Sequence, residues 1–116
     1  MRPGARTPEE LETLFEDAFV IRDHLVVTQL FEDGAVLVAG DGLQARGGHE
    51  IARLATAMWT HDHTYVADPQ QVVQARATAL VVAEQSISVM RRASDGAWRY
   101  AISLLSHDHT ITKEEQ

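Results

Sequence analysis

The sequence predicts an α+β fold in which three helices from the N-terminal half pack on a cone-shaped, curved antiparallel sheet. Three observations carry this. An amphipathic helical pair spans Thr7 to Phe31. A short apolar strand, a glycine-rich turn and a third helix follow it. Long alternating segments then fill the chain and close on Asp95-Gly96-Ala97-Trp98-Arg99-Tyr100-Ala101-Ile102. Helices gathered in the N-terminal half, with long strands after them, make an α+β arrangement rather than an alternating α/β one. Helices wrapped by a bent sheet leave a hollow, so the element order predicts a pocket.

Each element has its own signal. Thr7-Pro8-Glu9-Glu10 is a helix start, with Thr7 as cap, Pro8 in the first turn and Glu10 completing a capping box. Leu11, Leu14, Phe15, Ala18 and Phe19 then fall on one helical face. Asp23 caps a second helix whose buried side is Val26, Val27, Leu30 and Phe31, with Gly34 as its C-terminal glycine. Ala35 to Ala39 reads as an apolar strand, Gly40-Asp41-Gly42 as a turn, and Leu43 to Arg46 as the return strand. Ile51, Leu54, Ala55, Met58 and Trp59 mark the third helix. Pro69 interrupts an edge strand that resumes over Gln70 to Ala75. Thr78 to Arg92 reads as one long strand with Glu84 in its middle. Ser94-Asp95-Gly96 is a hairpin turn, after which Trp98, Tyr100, Ile102 and Leu104 share one strand face.

The 116 residues suit a single domain over 1–116, with tails at 1–6 and 107–116. A chain of this length buries roughly two thirds of its unfolded surface. Net charge is −7, which repels phosphate backbones and excludes general nucleic-acid binding. The chain has no cysteine, so disulfides and thiolate chemistry are excluded, and a reducing, cytoplasmic setting is expected. Acidic Glu9-Glu10 follows the basic N-terminus instead of a signal-type apolar run. No apolar stretch approaches membrane-spanning length.

The order of elements, with Ile21-Arg22-Asp23, Leu30 to Leu37, Ala45-Arg46-Gly47-Gly48-His49-Glu50-Ile51-Ala52, Thr78 to Val82 and Asp95-Gly96-Ala97-Trp98-Arg99, resembles the nuclear transport factor 2-like superfamily. Within it, the likeness is to the SnoaL-like branch of polyketide cyclase and steroid isomerase relatives, a cystatin-like cone. The resemblance covers Pro8 to Leu105. It implies a cavity at the wide end of the cone and a homodimer through the outer sheet face. It also implies cofactor-free chemistry, or none, since the fold hosts enzymes and non-enzymes alike.

The steroid isomerases of this superfamily combine a Tyr with an Asp base and a protonated Asp. Carried onto this chain by motif, those positions fall on Phe15, near Ala39 and near Ser88, so the usual set is missing. Asp41 lies two residues beyond the base position, where it also suits a plain turn. The SnoaL-like cyclases use an Asp and a His, which points to His63, His107 and Glu84. All of His61, His63, His107 and His109 lie at element ends, where solvated histidines are common. The echo His61-Asp62-His63-Thr64 and His107-Asp108-His109-Thr110 would chelate a metal only if the two segments met.

The expected function is therefore a small-molecule pocket protein that takes a small hydrophobic, aromatic organic ligand, with cofactor-free isomerase, cyclase or dehydratase chemistry as its reaction class. Asp41, His63 and His107 are the candidate acid/base groups. Phe15, Phe19, Trp59, Glu84, Met90, Trp98 and Tyr100 are the expected pocket lining. No cofactor, metal, nucleic acid or membrane is expected. The alternative is a non-catalytic dimerisation or assembly domain, with a filled interior and an apolar outer sheet.

Overall fold

Thr7 begins the first helix as its chemistry requires. In the computed structural model, which describes residues 4–63 and 65–105, α1 (Pro8–Ile21) has Thr7 as its cap, with Oγ1 accepting from the Glu10 amide at 3.0 Å. Glu10 reaches back to the Arg6 amide at 2.6 Å, one residue beyond the Thr7 amide that a capping box engages. Asp23 caps α2 (His24–Gln29) by accepting from the Leu25 and Val26 amides.

The sheet holds β1 (Phe31–Val38), β2 (Gln44–Arg46), β3 (Pro69–Ala75), β4 (Thr78–Ala83), β5 (Ser86–Arg92) and β6 (Trp98–Leu105), and α3 (Gly47–Thr60) follows β2. The strand order is β2-β1-β6-β5-β4-β3. All neighbours are antiparallel except β1 and β6, which run parallel. Register shifts interrupt the β1/β6, β3/β4 and β5/β6 ladders. Such irregularities bend strands, and they give this sheet its curvature. The α+β fold with three helices on a curved sheet is thus as the sequence predicts, with one parallel pair in place of a wholly antiparallel sheet.

Four local expectations need correction. Phe31 and Gly34 belong to β1, not to the end of α2. Gly34 has φ +77° and sits inside the register shift between Phe31 and Val36. The expected long strand Thr78 to Arg92 is a hairpin that turns at Glu84-Gln85. Ala83 faces Ser86 across that turn, so odd positions point inward before it and even positions after it. Ile87 and Val89 therefore face outward, and Ser86, Ser88 and Met90 face inward. In β6 the register shift leaves Ala101 without a partner in the β5 pairing, so Tyr100 points inward while Ile102 and Leu104 point out. Finally, Ala5 is not part of a frayed tail. It is buried and bridges to Trp98, whose amide donates to its carbonyl at 2.9 Å. Residues 107–116 lie outside the described residues.

Phe15 is the hub of the core. Its ring centroid lies 5.1 Å from Phe19, 5.6 Å from Phe31, 4.6 Å from Tyr65 and 5.2 Å from Tyr100. Edge and tilted contacts at these distances add to the stabilisation from burial. The opposite side of the sheet is also apolar. Val36, Ile102, Val89, Leu80 and Val73 form one cross-strand row, and Val38, Leu104, Ile87 and Val82 form the next. Val73, Leu80, Ile87, Ile102 and Leu104 remain 39–50% exposed there.

Candidate functional site

One end of the sheet gathers the β1–β2 turn, the C-terminus of α3, the β4–β5 turn and the end of β6. The register explains this: Val38 pairs with Leu104 in the parallel ladder, and Leu105 pairs with Ser86. Between these segments lies a cavity of about 380 Å³, within the range of small-ligand sites. Its apolar wall comes from Leu43, Leu54, Met58, Val66 and Leu105. Leu43 and Val66 are 58% and 61% exposed, so the mouth itself is apolar. Asp41, His61, Asp62 and His63 supply polar rim groups, and Tyr65, Gln85 and Ser86 also line the space.

Behind that wall lies a feature that the apolar periodicity of α1 hides. Glu12 is fully buried. It occupies the inner stripe of α1 one turn before Phe15. Tyr65 donates its hydroxyl to Glu12 Oε1 at 2.6 Å, and Tyr100 donates to Glu12 Oε2. Ser86 Oγ lies 3.3 Å from the Tyr65 hydroxyl. The ion pairs among the described residues, Arg22–Asp62, Arg91–Glu32 and Arg99–Asp95, do not reach Glu12. Two tyrosine hydroxyls, not a cation, satisfy the carboxyl group.

Burial pushes the Tyr65 hydroxyl far above the ordinary tyrosine range, and the charge of Glu12 and its hydrogen bond push further in the same direction. Tyr100 is raised by burial first, then by its neighbours Tyr65 and Glu12. Both phenols therefore stay protonated at neutral pH and act as fixed donors. Ser88 and Ser103 make a separate buried pair, with oxygens 2.9 Å apart.

The expected site residues divide between rim and core. Asp41 and His63 both line the cavity. Asp41 Oδ1 also accepts from the Leu43 amide at 3.0 Å, the side-chain turn that its Asp-Gly context favours. The His63 amide donates to the Met58 carbonyl at 2.9 Å, and its ring centroid lies 6.4 Å from that of His61. His107 lies outside the described residues, as does His109, so the paired His-Asp-His segments are not brought together or kept apart here. Among the described residues no cluster of three or more metal-ligating side chains is present.

The expected lining residues lie elsewhere. Phe15, Phe19, Trp59, Met90 and Tyr100 are buried in the core and do not line the cavity. Trp98 lies at the opposite end of the sheet, against Ala5, with Arg92 over its ring at 5.6 Å. Glu84 is exposed in the β4–β5 turn, and its neighbours Gln85 and Ser86 occupy the wall instead. The reason is the hairpin: a turn at Glu84-Gln85 puts Glu84 outside the long strand that the alternating pattern predicts.

No protein-family profile and no curated protein matches the chain. Solved structures do match it. A ketosteroid isomerase-like protein from Erwinia carotovora atroseptica superposes with a TM-score of 0.73 at 20% identity, over 84% of this chain and 91% of that one. A Thiobacillus denitrificans protein, provisionally assigned as a calcium/calmodulin-dependent protein kinase type II association domain, gives 0.76 at 16% identity, over 90% and 98%. A Streptomyces avermitilis protein of the nuclear transport factor 2-like family, provisionally assigned as a dehydratase, gives 0.66 at 17% identity, over 83% and 90%. At these identities the likeness is one of fold. The chain has the nuclear transport factor 2-like, cystatin-like fold, shared by neighbours of isomerase-like, dehydratase-like and association-domain character.

Proposed function

We propose that the chain is a small-molecule pocket protein of the SnoaL-like kind, which takes a mainly apolar, aromatic-sized organic ligand into the cavity at the open end of the sheet. The observation that carries this reading is the cavity itself: about 380 Å³, apolar in its wall and mouth, with polar groups converging on it. An unfilled apolar space next to solvent is what a binding site needs and what a purely structural core avoids. Asp41 and His63 share the rim, and a carboxylate with an imidazole on one cavity is the pair that cofactor-free proton transfer requires. Isomerisation, cyclisation and dehydration belong to that reaction class.

Thermal shift against a panel of aromatic and polyketide-like compounds tests the reading. A ligand present at a concentration well above its Kd raises the midpoint by about 4 °C or more. A panel without any stabilising member counts against it.

A second reading rests on the outer sheet face. Its two aliphatic rows cross five and four strands, and exposed apolar patches of this kind mark interaction surfaces. A second copy of the chain, paired face to face, covers both patches at once. This is compatible with the pocket, because the cavity opens at the end of the sheet and not through its outer face. Pairing without ligand binding would leave the chain as an assembly domain.

A further inference from the structure

We infer that the cavity selects a neutral ligand with a free hydroxyl group, read by Ser86 at the edge of the buried Glu12–Tyr65–Tyr100 cluster. This deepens the pocket reading above and rests on it. Each hydroxyl carries one hydrogen and two lone pairs, and a carboxylate carries only acceptors. Tyr65 and Tyr100 spend their hydrogens on Glu12 Oε1 and Oε2. Tyr65 therefore meets Ser86 Oγ, 3.3 Å away, as an acceptor, and Ser86 is the donor in that contact.

With its hydrogen spent inward, Ser86 offers the cavity only lone pairs. It lies on the cavity wall and is 4% exposed, so water competes poorly for them. A ligand that donates a hydrogen completes the chain: ligand hydroxyl to Ser86, Ser86 to Tyr65, Tyr65 to Glu12. A ligand that presents only acceptors meets lone pairs with lone pairs. A carboxylate fares worse, because Glu12 has no cationic partner among the described residues and Asp41 adds a negative charge at the rim, while the charge of Asp62 is offset by Arg22. An alkyl ammonium would have to leave water for a wall of Leu43, Leu54, Met58 and Leu105. The neutral alcohol or phenol is the class that fits.

Three probes of similar size separate the possibilities: naphthol, its methyl ether and the corresponding naphthoate, titrated by calorimetry at neutral pH. The expected order is naphthol about five-fold tighter than the ether, the worth of one hydrogen bond to a shielded partner. Naphthoate binds at least about ten-fold more weakly than naphthol. In Ser86→Ala, which deletes the acceptor and little volume, naphthol and ether converge to within about two-fold. Ether or naphthoate binding as tightly as naphthol to the unaltered protein overturns the hydroxyl assignment and leaves the pocket reading standing. A naphthol preference that survives in folded Ser86→Ala also overturns it. Failure of all three probes to bind overturns the pocket reading, and this inference with it.

Discussion

Tyr100 and Glu12, 88 positions apart, meet in the interior, where the Tyr100 hydroxyl donates to Glu12 Oε2. This contact ties the first helix to the last strand. With the Tyr65 bond to the other carboxyl oxygen, it makes Glu12 the shared acceptor of two buried phenols.

Removing the acceptor leaves both donors stranded. Glu12→Leu is expected to destabilise the fold by about 2–5 kcal/mol, the cost of unsatisfied buried hydroxyls. Adding Tyr65→Phe and Tyr100→Phe to Glu12→Leu recovers most of that loss, because apolar groups replace every partner at once. Urea unfolding of the single and triple variants measures both steps. A triple variant no more stable than Glu12→Leu would show that the cluster is held by packing and not by its hydrogen bonds.

Alkaline pH acts through the same phenols. Their folded values lie well above the ordinary tyrosine value of 10.0. Above pH 10 an unfolded chain has released protons that the folded chain still holds, so rising pH favours unfolding. The stability that these protons represent is fully present below about pH 10 and declines beyond it. Unfolding midpoints between pH 9 and 11 should fall steeply for the unaltered protein. The fall should be shallower in Tyr65→Phe and Tyr100→Phe.

Gly34 bends β1. Its φ of +77° is left-handed, and an added Cβ would meet nothing within 4 Å. Gly34→Ala therefore isolates backbone strain, expected at about 1–2 kcal/mol. Thermal unfolding checks it. A neutral effect would mean that the β1 irregularity relaxes freely.

The outer face predicts a change of assembly without a change of fold. Ile102→Lys puts a charge into the first row, between Val36 and Val89. Sedimentation should show pairs for the unaltered chain and monomers for the variant, with circular dichroism unchanged. Identical sedimentation of the two sets aside the second-copy reading.

The helices were legible because their signals are local. The Thr7 and Asp23 caps, the apolar stripe of α1 and the period of α3 each need only a dozen neighbouring residues. The strands were harder. The β4–β5 turn uses Glu84-Gln85, which carries none of the Gly, Asn or Pro chemistry that announces a turn. The unpaired Ala101 has no local mark either, because the register shift exists only in the pairing with β5. Each of these reversed which side chains face inward. Asp41 and His63 could be placed near an opening because both follow element ends. Glu12 gives no sign of its burial, because one acidic residue among Glu9, Glu10, Glu16 and Asp17 reads as part of a solvated helix face. Its partners Tyr65 and Tyr100 are 53 and 88 positions away.

Ligand binding requires an open cavity that foreign molecules enter beside Ser86 and Tyr65. Methyl-resolved NMR during a naphthol titration is the decisive measurement. Saturable shifts at Leu43, Leu54, Met58 and Leu105, with Ile87 and Ile102 on the outer face unmoved, are the predicted result. Cavity methyls that stay still at saturating probe, or shifts confined to the outer face, would contradict it.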